Sequence, residues 1–220
     1  MIRQILWDWN GTLLDDTQAA LDTLNAMLAR RGGRPITLDS YRDNFAFPVK
    51  PYYESIGVCL ANEDWDALAR EYHDVYAEQP KRLNGDATAA LARVRAAGVG
   101  QSVLSALRQD LLEAALEEHG IRGYFDNVFG VDNLNGESKL GRARELLARL
   151  ASAGTAASEV VVIGDSLHDK EVADALGVRC VLCAQGSHAA WRLRQVAPVG
   201  DTLLDALDIA LGAEGETTRG

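Results

Sequence analysis

Trp7-Asp8-Trp9-Asn10-Gly11-Thr12-Leu13 closes the apolar opening run of the chain. Residues 2–7 read as a short buried strand, so Asp8 stands at a strand tip. Gly11 then offers a tight turn and Thr12 a hydroxyl. A carboxylate held at the end of a strand is suited to nucleophilic chemistry. Asp and Gly also mark ordinary turns, so the stretch gains meaning only beside matching groups farther down the chain.

The next block is helical. Residues 17–31 carry Leu21, Leu24 and Leu28 on one stripe, with Ala20 and Met27 beside it, and Gly32-Gly33-Arg34-Pro35 ends the helix. Residues 38–45 predict a helix entered through Asp39 or Ser40, residues 47–51 a rigid loop, and residues 51–56 another helix. Residues 62–77 predict a helix with Asn62 as its N-cap. No strand is expected in this block. Downstream the pattern alternates. Helices are expected at 86–97, 109–119, 139–150, 169–176, 187–196 and 201–211, and strands at 101–104, 127–130, 160–163 and 178–183, with a last strand end at Val199. Such alternation implies an α/β fold whose mainly parallel sheet is covered on both faces. We expect a Rossmann-like three-layer core of residues 1–16 and 83–220, with residues 17–82 inserted as an α-helical cap domain. Residues 212–220 read as a mobile tail.

Composition narrows the function classes. A net charge of −10 argues against nucleic acid or an anionic membrane as a partner. No run approaches the ~18 apolar residues of a membrane span. The N-terminus lacks the basic, apolar and small-residue pattern of a signal peptide. Cys59, Cys180 and Cys183 do not form an even disulfide framework. In the strand-like run Cys180-Val181-Leu182-Cys183, positions i and i+3 face opposite sides, so both thiols read as small buried hydrophobes. A cytoplasmic protein, monomer or homodimer, is expected.

Open α/β sheets bind ligands beyond the carboxyl ends of their strands. Candidate groups fall at such tips: Asp8; Ser105 with Ala106 after Val103-Leu104; Lys139 at a helix start; and Gly164-Asp165-Ser166-Leu167-His168-Asp169 after residues 160–163. Together they read as a phosphoryl-transfer site. A carboxylate can attack phosphorus to form an aspartyl-phosphate. Clustered carboxylates repel one another and a phosphate dianion, which Mg²⁺ would offset through hard oxygen ligands. A lysine and a hydroxyl then hold the remaining phosphate oxygens.

Taken in order, Asp8-Trp9-Asn10-Gly11-Thr12, Ser105, Lys139 and Gly164-Asp165 with Asp169 resemble the four-motif signature of the haloacid dehalogenase superfamily. The helical insertion resembles the cap of its phosphoglycolate phosphatase-like branch. The resemblance implies Asp8 as nucleophile, Ser105 as a hydrogen-bond donor to phosphoryl oxygens, and Lys139 as the balancing charge. It implies a Mg²⁺ site of Asp8, the main-chain carbonyl of Asn10, Asp165 and Asp169. Gly11, Thr12 and Ala106 would line the phosphate. The implied activity is Mg²⁺-dependent hydrolysis of a small phosphorylated metabolite, a phosphoglycolate-like phosphomonoester.

Asn10 departs from that pattern. Phosphatases of the superfamily carry Asp two positions after the nucleophile, where it protonates the leaving alcohol and later deprotonates water. Asn is nearly isosteric but exchanges no proton at neutral pH. General acid–base help is worth ~10²–10⁴-fold. Three readings stay open. One is a phosphatase for leaving groups that need little protonation, such as acyl or aryl phosphates, or one with another proton donor. The second is a phosphonate carbon–phosphorus hydrolase using a cap lysine. Lys50 is the candidate, although Pro48-Val49-Lys50-Pro51 does not match that branch's lysine motif. The third is a weakly catalytic or non-catalytic phospho-ligand binder. The loop 45–50 and Tyr52-Tyr53 are expected to close over the site, with Arg42 and Lys50 supplying charge to an anionic tail. His188 is a candidate proton donor at the rim, and His168 is expected to point away from the metal.

Overall fold

The computed structural model describes residues 1–132 and 139–212. A buried strand, β1 (Gln4–Trp7), leads through a turn to the two-residue β2 (Leu14–Asp15). Four helices come next: α1 (Thr17–Arg30), α2 (Leu38–Asn44), α3 (Val49–Ser55) and α4 (Trp65–Glu78). β3 (Arg82–Leu83) then pairs antiparallel with β2. The chain continues through α5 (Ala87–Ala96), β4 (Gly100–Arg108), α6 (Gln109–Glu118) and β5 (Asn127–Val131). After α7 (Leu140–Ser152) come β6 (Val160–Gly164), α8 (Leu167–Leu176), β7 (Arg179–Cys183), α9 (Ala190–Leu193), β8 (Val199–Gly200) and α10 (Leu203–Leu211).

Six strands form one sheet in the order β5-β4-β1-β6-β7-β8, and every pairing is parallel. Successive residues of a strand face opposite sides, which sorts the apolar runs into two layers. Ile5, Trp7, Val161, Ile163, Val181 and Cys183 pack with α5, α6 and α10 through Leu91, Leu112, Leu116 and Leu207. Leu6, Leu104, Val160 and Val162 pack on the other face with Leu146, Leu150, Val172 and Leu176 of α7 and α8. Cys180 joins this second layer and Cys183 the first, as the i, i+3 argument requires. Burial pushes both thiols up, Cys183 to about 12.

Helices α1 to α4 bury a third cluster of their own, built on Leu21, Leu24, Met27, Leu28, Tyr41, Tyr52, Tyr53 and Leu68. The β2–β3 ribbon lies where this block meets the sheet and carries an Asp15–Arg82 ion pair of 3.0 Å. A second seam joins α2 to the segment before and within α9. Arg192 donates to the carbonyls of Arg42 and Phe45 at 2.8 and 3.0 Å, and Trp191 Nε1 donates to Asp43 at 2.8 Å.

Several boundaries differ from expectation. The N-cap of α2 is Thr37, whose side chain accepts the Ser40 N–H at 3.1 Å, rather than Asp39 or Ser40. The N-cap of α4 is Asp64, accepting from Ala67 at 2.8 Å, while Asn62 closes a separate 3₁₀ turn. α3 starts at Val49, inside the expected loop, and holds Pro51 in its first turn, where no intrahelical N–H is needed. Only four residues of the expected 187–196 helix form α9. The two-residue ribbon has no sequence counterpart, because two residues show no periodicity. β4 runs on to Arg108, but its pairing with β5 shifts register between Leu104 and Arg108. Such irregularities re-aim side chains beside functional sites. Of the expected tail, residues 213–220 lie outside the described residues.

Leu6 is fully buried at the sheet centre. The Leu6→Ala variant is expected to lose about 2–5 kcal/mol of unfolding free energy, read as a lower urea midpoint at unchanged slope.

Candidate active site

β1 delivers Asp8 to the carboxyl edge of the sheet, where its N–H still donates to the Ile163 carbonyl of β6 at 2.9 Å. The chain then turns sharply, with the N–H groups of Thr12 and Leu14 both donating to the Trp9 carbonyl. Gly11 sits in the turn at φ +76°, and a Cβ there would collide with the Asp165 carboxylate. Thr12, fully buried, has its hydroxyl 3.4 Å from both Asp8 Oδ2 and Asp165 Oδ1.

β6 ends just before Asp165, and α8 begins one residue after its N-cap Ser166. Asp169 faces back into the site because it completes a capping box. Its Oδ2 accepts the Ser166 hydroxyl at 2.6 Å and the amides of Ser166 and Asp165 at 3.1 and 3.2 Å. Asp165 Oδ2 accepts the amide and hydroxyl of Ser187, both at 2.6 Å. Ser187, expected at the start of a helix, serves this carboxylate instead.

Lys139, at the N-cap of α7, is buried between two acids. Its Nζ donates to Asp8 Oδ1, to Asp169 Oδ1 at 2.6 Å and to the Leu104 carbonyl at 3.3 Å. One oxygen each of Asp8, Asp165 and Asp169 lies within 4.8 Å of the others. Burial pushes Asp8 well above the ordinary carboxylate range against the attraction of Lys139, and the charges of Asp169 and Asp165 add to the rise. Burial, with the charge of Asp169, lifts Asp165 to about 7. Burial would raise Asp169 too, but Lys139 and the Ser166 hydrogen bond hold it below its usual value. Burial works against the Lys139 charge, yet Asp169 and Asp8 raise its pKa overall. One ammonium is left facing three carboxylates. A set of hard oxygen donors with negative charge in excess fits a divalent cation such as Mg²⁺.

The site opens into a cavity of about 180 Å³. Asp8, Asn10, Gly11, Ser105, Ala106, Lys139, Asp165 and His168 reach its floor. Ser105, beside the register shift of β4, accepts the Leu107 N–H at 3.0 Å. Arg42 and Lys50 do not line the cavity. Arg42 donates to the carbonyls of Gly186 and Gln185 at 3.0 and 3.1 Å, and Lys50 Nζ lies 4.6 Å from the Trp65 ring centroid. His188 is buried outside the cavity wall, with Nδ1 accepting the Leu167 N–H at 3.0 Å. His168 lines the cavity, its ring 4.9 Å from that of Phe47 and its Nδ1 3.3 Å from a Glu171 carboxylate oxygen. α8 starts two residues earlier than expected.

Sequence reasoning missed Asp16 and Tyr76. Asp16 occupies the N-cap of α1 without capping it. Its buried carboxylate turns back to accept the Gly11 N–H at 2.7 Å, the Asn10 amide at 2.7 Å and the Tyr76 hydroxyl. Tyr76 OH also accepts from Asn10 Nδ2 at 3.0 Å. Burial raises the Asp16 pKa despite these donors. The Gly11 N–H is thereby spent on Asp16. The readable signal was an acid directly before α1, the same signal that any N-cap gives.

A family model described as haloacid dehalogenase-like hydrolase matches residues 5–183. A phosphoglycolate phosphatase of Caulobacter vibrioides is 28% identical over 190 residues, covering 83% of this chain and 79% of that protein. Among solved structures, a haloacid dehalogenase-like protein of unknown function from Agrobacterium tumefaciens superposes with a TM-score of 0.79 at 20% identity. The match covers 98% of this chain and all of that one (100%). A haloacid dehalogenase-like hydrolase from Streptococcus pneumoniae gives a TM-score of 0.76 at 16% identity, covering 95% and 98% of the two chains.

Burial, reinforced by the Arg192 charge, lowers His188 to about 4 from an ordinary value near 6.5. Above pH 6.5 the imidazole is neutral in folded and unfolded chains, and stability is at its full value. Between pH 6.5 and about 4 the unfolded chain takes up a proton that the folded one refuses, so stability falls as pH falls. The loss attributable to this group levels off at roughly 3 kcal/mol. Replacing His188 with Asn keeps an acceptor for Leu167 and removes the titration. Urea unfolding of His188→Asn across this window is expected to show a shallower pH slope than the parent.

Proposed function

The chain belongs to the haloacid dehalogenase-like hydrolase family, and on that premise we propose that it is a Mg²⁺-dependent phosphatase acting on a small phosphomonoester through Asp8. The observation that carries this reading is the Lys139 ammonium bridging Asp8 and Asp169, beside Asp165, at the floor of a cavity. In the proposed reaction an Asp8 oxygen attacks phosphorus, the ester P–O bond breaks, and the leaving oxygen departs with its electron pair. Water then cleaves the aspartyl-phosphate, giving inorganic phosphate and restoring Asp8. Lys139 holds Asp8 in place and offsets its charge, while the Ser105 hydroxyl is within the same cavity to donate to a phosphoryl oxygen.

Asp8, Asp165 and the Asn10 carbonyl would hold the metal, with Asp169 bound directly or through water. Bound there, Mg²⁺ would offset charge on the carboxylates and the transferring phosphoryl group. Residues 17–82, with an apolar cluster of their own, would act as the cap, and the β2–β3 ribbon as its attachment. A phosphonate reaction through a cap lysine finds no support here, since Lys50 lies against Trp65 and outside the cavity wall.

Dialysis against a chelator is expected to abolish phosphate release, and added Mg²⁺ to restore it. Asp8→Asn is expected to lower turnover by ~10³-fold or more while phosphate still binds. Parent protein that binds phosphate yet turns over no phosphomonoester would instead be a binder.

Asn10 also sets an expectation about proton transfer. Its amide faces the Asp16 carboxylate, so Asn10→Asp alone would set two acids against each other. The exchange Asn10→Asp with Asp16→Asn keeps a donor opposite an acceptor. This double variant is expected to raise turnover of an alkyl phosphate by at least ~10²-fold, the low end of acid–base help. No gain in steady-state turnover would mean that a missing acid is not what limits such substrates.

A further inference from the structure

We infer that the cavity takes a phosphoester whose leaving group is aromatic, an aryl phosphate, rather than a small metabolite that carries a second anionic group. This rests on the phosphatase reading and narrows its substrate class. The first observation is the aromatic wall of the cavity that Asp8 also lines. Tyr41, Phe45, Phe47, Tyr53, Trp65 and Tyr72 line it. Their rings brace one another: Tyr41 and Phe45 stack at 4.9 Å, Phe45 meets Phe47 edge-on at 5.3 Å, and Tyr53 lies 5.9 Å from Trp65. Aromatic side chains have few rotatable bonds, so a braced set offers a planar ring a surface at little entropic cost.

The second observation is charge. Among the described residues, the only Lys or Arg lining the cavity is Lys139, already shared by Asp8 and Asp169. Arg42 and Lys50, the cations best placed in sequence to meet an anionic tail, are held elsewhere. A second carboxylate on the ligand would be desolvated against ring faces with no lysine or arginine of its own to meet it, which is costly.

The third observation, Asn10, concerns the leaving group itself. A phenol has a pKa near ~10, whereas the conjugate acid of a water-like oxyanion lies near ~15.7. A phenoxide therefore departs without the proton that residue 10 cannot give. Wall and substitution are independent features, and aryl phosphates satisfy both.

Four compounds test this with the Mg²⁺-loaded chain. Phenyl phosphate and benzyl phosphate share a ring but leave as phenoxide and alkoxide, while 2-phosphoglycolate and glycerol phosphate lack the ring. Phenyl phosphate is expected to exceed 2-phosphoglycolate at least 100-fold in kcat/KM. Benzyl phosphate is expected to inhibit competitively at a similar concentration and to turn over at least 100-fold more slowly. Phe47→Ala should raise KM for phenyl phosphate about tenfold with little change in kcat, the size of one aromatic contact. A preference for 2-phosphoglycolate, or a Phe47→Ala KM equal to the parent's, overturns the inference. Binding to Asp8→Asn by titration calorimetry separates the two levels. If the parent hydrolyses none of the four, the phosphatase reading falls. The ligand class then stands if phenyl phosphate binds more tightly than 2-phosphoglycolate, and falls with it if the order is reversed. Hydrolysis of 2-phosphoglycolate alone, lost in Asp8→Asn, keeps the phosphatase and sinks the aryl class.

Discussion

The ammonium of Lys139, clasped between Asp8 and Asp169, is the contact on which the site depends. Burying three carboxylates at one sheet edge is expensive, and a single paired cation offsets only part of that expense. The imbalance is visible in how the acids divide. Asp169, with the ammonium, the Ser166 hydroxyl and two amides, keeps its charge easily. Asp8 shares the same ammonium but is left with a net upward shift from burial, and Asp165 leans chiefly on Ser187. Removing Lys139 would leave buried acids without a counter-charge. The same imbalance is what a divalent ion would relieve, so the lysine and such an ion would be two parts of one electrostatic solution.

A second constraint ties the helical block to the turn after β1. Asp16 gathers the Gly11 amide, the Asn10 side chain and the Tyr76 hydroxyl, the last from α4. Each donor satisfies part of a buried carboxylate that would otherwise be costly. Asn suits position 10 in this setting because it donates to Asp16, whereas a carboxylate there would meet another carboxylate. The substitution at position 10 and the acid at position 16 are therefore one arrangement. It ties the turn after Asp8 to α4 of the helical block.

How much was legible in the sequence depends on the length scale of each signal. The sheet was readable because β-branched runs such as residues 160–163 need no partner to be recognised. Asp8, Ser105, Lys139, Asp165 and Asp169 were readable as strand-tip or helix-start positions, and β1, β4 and β6 bring the first two and Asp165 together on adjacent strands. Asp16–Tyr76 was not readable, because an acid before a helix signals a cap whichever way its side chain turns. Thr37 and Asp64 were passed over for nearby polar residues for the same reason: backbone dihedrals decide which one caps. Arg42 and Lys50 looked like substrate cations because sequence gives no rotation for α2 and α3. In the structure one binds carbonyls and the other a tryptophan face.

The loss of an acid at position 10 weighs unequally on the two halves of the proposed reaction. In the first half the leaving group is the substrate's own oxygen, and an alkoxide leaves poorly without a proton. In the second half the leaving group is the Asp8 carboxylate, which even when raised by burial is far less basic than an alkoxide. Water attack therefore needs less help than ester cleavage does. A chain with Asn10 can keep the second half and still be selective in the first, provided its substrates bring a weakly basic oxygen. An aromatic wall that admits such esters and disfavours ligands with a second anionic group would impose that condition at the binding step, before chemistry begins.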